Sequence, residues 1–198
     1  MIKLISPGQF KTIPWKNGLG ETTELAISEH GTLDYFDWRL SIASVVSNGS
    51  FSDFSGYDRN LILIEGCGIC LTHDDDKKDN LLNILDKASF SGGSKTVGTL
   101  TRGAIKDFNI MTNQKNISPE VHCLSSHQKI SVTVLPDTLY FAYSLSADMG
   151  VEASFIEKAI IPMGSLLEIH HSQQPEKNEY SLHGSDIIFI KLTTNLKK

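Results

Sequence analysis

The residues best equipped for chemistry lie on short segments whose alternation sets a charged or amide group opposite an apolar face. In Phe36-Asp37-Trp38-Arg39-Leu40-Ser41-Ile42-Ala43, a strand would put Trp38, Leu40 and Ile42 on one side and Asp37, Arg39 and Ser41 on the other. Thr22-Thr23-Glu24-Leu25-Ala26-Ile27 behaves alike, with Thr23, Leu25 and Ile27 opposing Thr22, Glu24 and Ala26. Residues 105–111 are a third case, where Phe108 and Ile110 oppose Asp107, Asn109 and Met111. Two readings fit: solvent-facing strand sides, or polar faces that converge into a recognition network of Arg39, Glu24, Asp107 and Asn109.

Gly49-Ser50-Phe51-Ser52-Asp53-Phe54-Ser55-Gly56-Tyr57-Asp58-Arg59 is the other dense cluster. An arginine that enters a strand from an aromatic loop is placed to grip a carboxylate with its planar fork. The competing reading is an internal contact of Arg59 that fixes the turn. Trp15-Lys16-Asn17-Gly18-Leu19-Gly20-Glu21-Thr22 is glycine-rich but lacks the Gly-Lys-Ser/Thr ending of a phosphate loop and leads into no helix pattern. Its glycines suit a close approach of backbone to a ligand or a neighbouring strand.

Other chemistries find less support. Cys67-Gly68-Ile69-Cys70 joins two strand-like runs, whereas a redox pair wants its first thiol at a helix N-terminus. Cys123 with His122 or His127 gives no standard zinc spacing. His170 and His171 are neighbours on a strand and point to opposite faces, while His30, His73 and His183 fall in expected turns. The acidic run in His73-Asp74-Asp75-Asp76-Lys77-Lys78-Asp79-Asn80 lacks calcium-loop spacing and reads as an exposed hairpin tip. No Gly-x-Ser-x-Gly elbow occurs. The expectation is therefore no metal, no cofactor and no catalytic residue.

The elements that must position these groups read as strands: 22–28, 36–43, 61–65, 69–72, 81–85, 105–111, 130–135, 140–145, 159–161, 166–170 and 187–192. Asn17-Gly18, Asn48-Gly49, Ser55-Gly56, Ser91-Gly92-Gly93 and Pro136-Asp137 carry turn chemistry between them. Short strands at roughly ten-residue spacing indicate an all-β sandwich or barrel. Residues 86–90 and 155–158 could each form one helical turn, and nothing supports a long amphipathic helix. A lobe boundary is expected near 113–120, and 112–198 reads as plain strand scaffold.

Hydrophobic residues make up 40% and charged residues 21% of the 198 residues, with a formal net charge of -5. That composition describes a globular protein and argues against a nucleic-acid partner, which requires a basic surface. The first residues lack a signal-peptide pattern, no apolar run reaches membrane-spanning length, and three cysteines do not make a disulfide scaffold. The expected setting is the cytoplasm, with no membrane partner.

In order and spacing, 15–25, 37–43, 49–59 and 107–111 resemble the HutD/Ves family, and 160–167 is similar to the family's last half-barrel. The chain departs from that pattern at Leu19, where glycine is usual, and at Ser50 and Ser55, where proline is usual. The resemblance implies a bicupin, two cupin-type β-barrels fused in one chain. It also implies a regulatory role, limiting histidine utilisation by binding urocanate or formylglutamate. Metal-binding cupins carry a first histidine–glutamate motif that this sequence lacks. The ligand-binding residues expected are Arg59, Arg39, Glu24, Asp107, Asn109, Trp15, Asn17 and Tyr57. The expected partner is a small acidic metabolite, and a homodimer is compatible with the reading. Two alternatives stand beside it: a metal-independent cupin isomerase or lyase using Glu24 or Asp107 as base, and a stress-induced structural or interaction protein.

Overall fold

A computed structural model of the chain describes residues 1–15, 18, 20–74, 77–175 and 178–195. Strand β1 (Ile2–Ile5) and a short 3-10 turn are followed by β2 (Lys11–Pro14), β3 (Gly20–Ile27), β4 (Trp38–Val45), β5 (Gly49–Ser50), β6 (Tyr57–Glu65) and β7 (Ile69–Thr72). Next come β8 (Lys78–Leu81), β9 (Lys87–Ser91), β10 (Val97–Leu100), β11 (Ile105–Asn113) and β12 (Ile117–Leu124). The chain ends with β13 (Gln128–Thr133), β14 (Thr138–Ser144), β15 (Met149–Ala153), β16 (Ile156–Ile161), β17 (Leu166–His170), β18 (Glu179–Gly184) and β19 (Ile187–Thr194). The class is all-β, as expected. Among the described residues no helix is long and apolar enough to cross a membrane.

Two compact units result, one formed by Phe10–Ile117 and the other by Met1–Gln9 with Ser118–Lys198. The Phe10–Ile117 unit has a six-stranded sheet in the order β2-β3-β4-β11-β6-β9 and a four-stranded sheet in the order β5-β10-β7-β8. Ala43, Val45, Leu61, Leu63, Ala88 and Ile105 from the first share one core cluster with Ile69, Leu71 and Leu81 from the second. The two sheets therefore close on each other as a sandwich. On the opposite face of the larger sheet, Leu40, Ile62, Phe108 and Ile110 are also fully buried. Each such side chain contributes about 1.5–3 kcal/mol of burial.

The second unit pairs a five-stranded sheet, β1-β17-β14-β19-β12, with a four-stranded one, β13-β18-β15-β16. Its interior is filled by apolar side chains, among them Tyr140, Met149, Leu167, Leu182 and Phe189. The N-terminal strand belongs here: Ile2 lies opposite Ile169, and the terminal ammonium donates to the carbonyl of His170 at 2.7 Å. Four residues are too few for alternation to reveal such a strand from sequence.

Three sequence-based expectations fail locally. The apolar run 81–85 is a strand only at Leu81, the last residue of β8. Beyond it Asp86 accepts from the backbone N–H groups of Leu82 and Asn83, both at 2.8 Å, and Leu85 adopts a left-handed φ of 72°. Those bonds, led by the one from Asn83, hold the Asp86 carboxyl below its usual range. The one-turn helix expected at 86–90 is instead β9, paired with β6, and the one expected at 155–158 runs into β16. In both places the hydrogen bonds of a neighbouring strand override a weak local preference.

Candidate functional site

Residues directly opposite each other in neighbouring strands share a face, so the register of the six-stranded sheet decides whether the polar groups converge. One row across it reads Glu24, Ser41, Asn109, Leu61, Ala88, and the next reads Ile27, Arg39, Met111, Arg59, Phe90. A third contains Thr22, Ala43, Asp107 and Leu63. Leu61, Leu63, Ala43 and Ala88 belong to the sandwich core, so Glu24, Arg39, Arg59, Asp107 and Asn109 all face the interior of the unit. The polar sides of β4 and β11 are thus buried rather than solvated.

One correction applies on β3. The register slips between Glu24 and Ala26, which lie opposite Ser41 and Leu40 respectively. This bulge makes Leu25 the extra residue and turns Ala26 to the outer face, so Ile27, rather than Ala26, shares the side of Glu24.

The two arginines are held differently. Arg39 Nε donates to Glu24 Oε2 at 2.8 Å in a pair whose side chains are only 8% and 15% exposed. Arg59 Nη2 donates to Asn109 Oδ1 at 2.9 Å, and Asn109 Nδ2 donates in turn to Asp107 Oδ1. Arg59 Nε and Asp107 Oδ2 are buried with no hydrogen-bond partner. The Arg59 guanidinium lies over three rings, 4.9 Å from the centre of Phe51, 5.4 Å from Phe90 and 5.8 Å from Phe54. Aromatic faces of this kind attract a cation without giving it an acceptor.

Burial disfavours the charges of Arg59 and Asp107. It brings the Arg59 guanidinium down to about 10 despite the attraction of Asp107, and repulsion from Arg39 lowers it further. The fully buried Asp107 carboxyl is raised to about 7 by desolvation, against the opposing pull of Arg59 and the hydrogen bond from Asn109. Two guanidiniums that repel each other, one with an unused donor, make a face that favours an anion.

The remaining expected residues have separate fates. Trp15 packs on the core cluster, and its Nε1 donates to Thr22 Oγ1 at 2.8 Å, placing it beside the Asp107 row. Its ring crosses Gly20 so closely that a Cβ there would come within 2.8 Å of it and 2.3 Å of the Ser44 carbonyl. Asn17 and Leu19 lie outside the described residues. Tyr57 is buried with Phe36 and Met111, and its hydroxyl accepts from Phe36 N at 3.2 Å. It supports Phe54, which it meets edge-on at 6.4 Å, so Tyr57 backs the aromatic wall and Phe54 forms it.

Phe51 and Phe54 carry no assigned role in the sequence pattern, and neither Phe90 nor His73 stands out in it as a site residue. Ala88 and Phe90 alternate with Lys87, Ser89 and Ser91, a pattern that marks β9 in hindsight. His73 is buried rather than part of an exposed tip. Its ring nitrogens meet Thr96 Oγ1 at 2.9 Å and Asp79 Oδ2 at 3.1 Å, and its ring lies 4.7 Å from that of Phe90.

The loop that carries Phe54 is pinned by Gly92, whose carbonyl accepts from Phe54 N at 2.9 Å. A Cβ on Gly92 would lie 2.5 Å from the Phe54 carbonyl oxygen and 3.1 Å from that of Tyr57. Gly92→Ala must therefore shift backbone. It is expected to cost about 1–3 kcal/mol in urea denaturation and to weaken any ligand held on Arg59.

Cys67 is exposed and Cys70 half-buried, and both are free thiols. Arg102 Nη2 donates to Cys67 Sγ at 3.5 Å. Among the described residues, no three or more His, Cys, Asp or Glu side chains are grouped so as to hold a metal ion. His170, at the end of β17, contacts Glu168 at 2.8 Å.

The sequence model of the HutD family matches residues 8–190. An uncharacterized 21.2 kDa protein in the hutC 3' region of Pseudomonas putida is 39% identical over 110 residues, 56% of this chain and 57% of the relative. The protein Ves of Escherichia fergusonii is 39% identical over 108 residues, 54% of this chain and 56% of the relative. The chain thus spans little more than half the length of these curated relatives. HutD from Pseudomonas fluorescens SBW25, in a formate condition, superposes with a TM-score of 0.81 at 28% identity, covering 98% of this chain and all of that one. A cupin 2 barrel protein from Leptotrichia buccalis, at 8% identity and a TM-score of 0.57, covers 98% of this chain and 96% of its own and shares the fold.

Proposed function

Because the chain belongs to the HutD family, we propose that it binds a small carboxylate metabolite on the inner face of the Phe10–Ile117 unit and acts as a regulator of histidine utilisation. The observation that carries the reading is Arg59: a buried guanidinium with an unused Nε–H, stacked on aromatic rings and facing a second arginine. A buried donor left unmade costs about 1–3 kcal/mol, which a bound carboxylate oxygen would recover. Glu24 pairs with Arg39 and holds it in place, and Asn109 fixes the Arg59 fork. Urocanate and formylglutamate are the ligands to test first. In calorimetry the wild type is expected to bind at least one of them and Arg59→Ala to lose it; no heat with the wild type would remove both from consideration.

A second reading has one observation in its favour. A carboxyl near 7 is suited to general base catalysis at neutral pH, which makes Asp107 the base of a metal-independent cupin isomerase or lyase. Glu24 is committed to Arg39 and is the weaker candidate. Turnover of a carboxylic acid that disappears in Asp107→Asn would favour this reading over simple binding.

A further inference from the structure

The two unsatisfied atoms of the site ask for the same kind of partner. Arg59 Nε–H needs an acceptor. Asp107 Oδ1 already accepts from Asn109, so a proton on this carboxyl would sit on Oδ2, which is buried and unpartnered. A protonated Oδ2 is a second donor in need of an acceptor, and a carboxylate has two acceptor oxygens. We propose that Asp107 binds the ligand carboxylate as a neutral acid, donating from Oδ2, so that above neutral pH each bound ligand brings up to one proton with it. This rests on the carboxylate reading of the same site and makes Asp107 a determinant of its specificity.

Charge balance supports the assignment. Sharing the face of the six-stranded sheet with Asp107 are Arg59 on β6, Arg39 on β4, Glu24 on β3 and, opposite Glu24 in the register, the exposed Lys11 on β2. The opposing sheet contributes His73 and Asp79, joined to each other beside Phe90, and the hydroxyl of Tyr57 is bonded to the Phe36 backbone. Glu24 offsets Arg39 and an ionised Asp107 offsets Arg59, so with Asp107 ionised no net positive charge remains for a ligand. With Asp107 neutral, Arg59 is left to match a monoanion. Two ionised carboxylates sharing one guanidinium in a buried site repel strongly, at roughly 4 kcal/mol for charges about 4 Å apart, and such pairs share a proton instead. Desolvation has already brought the Asp107 carboxyl to about 7 before any ligand arrives, so little further push is needed.

The test uses the whole chain with acetate and N-formylglutamate, whose own groups do not titrate between pH 6 and 8. Calorimetry in buffers of differing ionisation enthalpy counts the protons taken up. At pH 8 uptake is expected to approach one per ligand and at pH 6 to fall well below half. The Kd should rise as much as tenfold per pH unit above 7. Asp107→Asn, which keeps a donor at this position, is expected to bind within about tenfold of wild type at pH 6, with no proton uptake and a flat pH profile. Binding at pH 8 without uptake would overturn the proposal and leave the carboxylate reading intact, with Asp107 then an acceptor for a ligand N–H. Uptake that persists in Asp107→Asn would also overturn it, and failure of both acids to bind at any pH would overturn both readings. The wild-type proton count decides the matter even if the variant does not fold.

Discussion

Replacing Arg59 by methionine is expected to raise the Kd for a bound carboxylate at least a hundredfold and yet leave the folded protein as stable as wild type, or more so. The affinity loss follows from removing a buried charge-assisted contact, for which truncation costs about 2–5 kcal/mol; a hundredfold change is about 2.7 kcal/mol. The stability expectation follows from burial. The guanidinium is lowered to about 10 because it is desolvated, so folding proceeds against its charge. Methionine fills similar space among Phe51, Phe54 and Phe90 with favourable sulfur–ring contacts. Asp107, deprived of its counter-charge, simply stays protonated.

The pH dependence checks this assignment. The Asp107 carboxyl is raised from its ordinary 3.8 to about 7, so its contribution to stability is complete below about pH 4 and is lost as pH rises through 7. In Arg59→Met the folded carboxyl rises further, and the window of loss moves to higher pH. Urea denaturation of both proteins from pH 5 to 9 measures the shift. Arg59→Lys should rescue binding poorly, because an ammonium has neither the fork nor the flat face that the three rings stack against.

The second large effect falls on Arg39. Arg39→Ala strips Glu24 of its partner inside the sandwich and is expected to cost about 3–5 kcal/mol, as breaking a buried pair does. Removing both charges with Glu24→Gln and Arg39→Met should restore most of that stability, giving a coupling energy readable from a double-mutant cycle. The double variant should bind carboxylate close to wild type, since Glu24 offsets Arg39 and the two charges leave together. Of the two arginines, Arg39 thus governs stability and Arg59 governs the ligand.

Much of the site was legible because its residues lie on strands with clean alternation. In 36–43 Arg39 opposes Trp38, Leu40 and Ile42, in 105–111 Asp107 and Asn109 oppose Phe108 and Ile110, and the interior rows contain these polar residues. What brings them together, the register across β3, β4, β11 and β6, is set by pairing between segments far apart in the chain and leaves no local mark. The bulge at Leu25 is illegible for the same reason, because the extra residue exists only relative to Ser41 and Leu40 on the partner strand. Phe90 was hidden by the polar residues around it in a five-residue strand. His73 was hidden because its ring is satisfied by Asp79, across the turn of the same run, and by Thr96 from a distant segment. The run 81–85 misled in the opposite direction: its leucines look like a strand, but Asp86 captures the backbone N–H groups that a ladder would need.

Anion binding by Arg59 can be read directly from its own Nε–H. The chain has three arginines, Arg39, Arg59 and Arg102, so the side-chain Nε–H signals of arginine-labelled protein can be assigned with one substitution each. On addition of formylglutamate or urocanate at pH 6, the Arg59 signal should move downfield and gain protection from exchange. The Arg39 signal should move less, and that of Arg102 should stay unchanged. Saturating ligand that leaves the Arg59 signal in place, or shifts only Arg102, would show that Arg59 is not the anion-binding group.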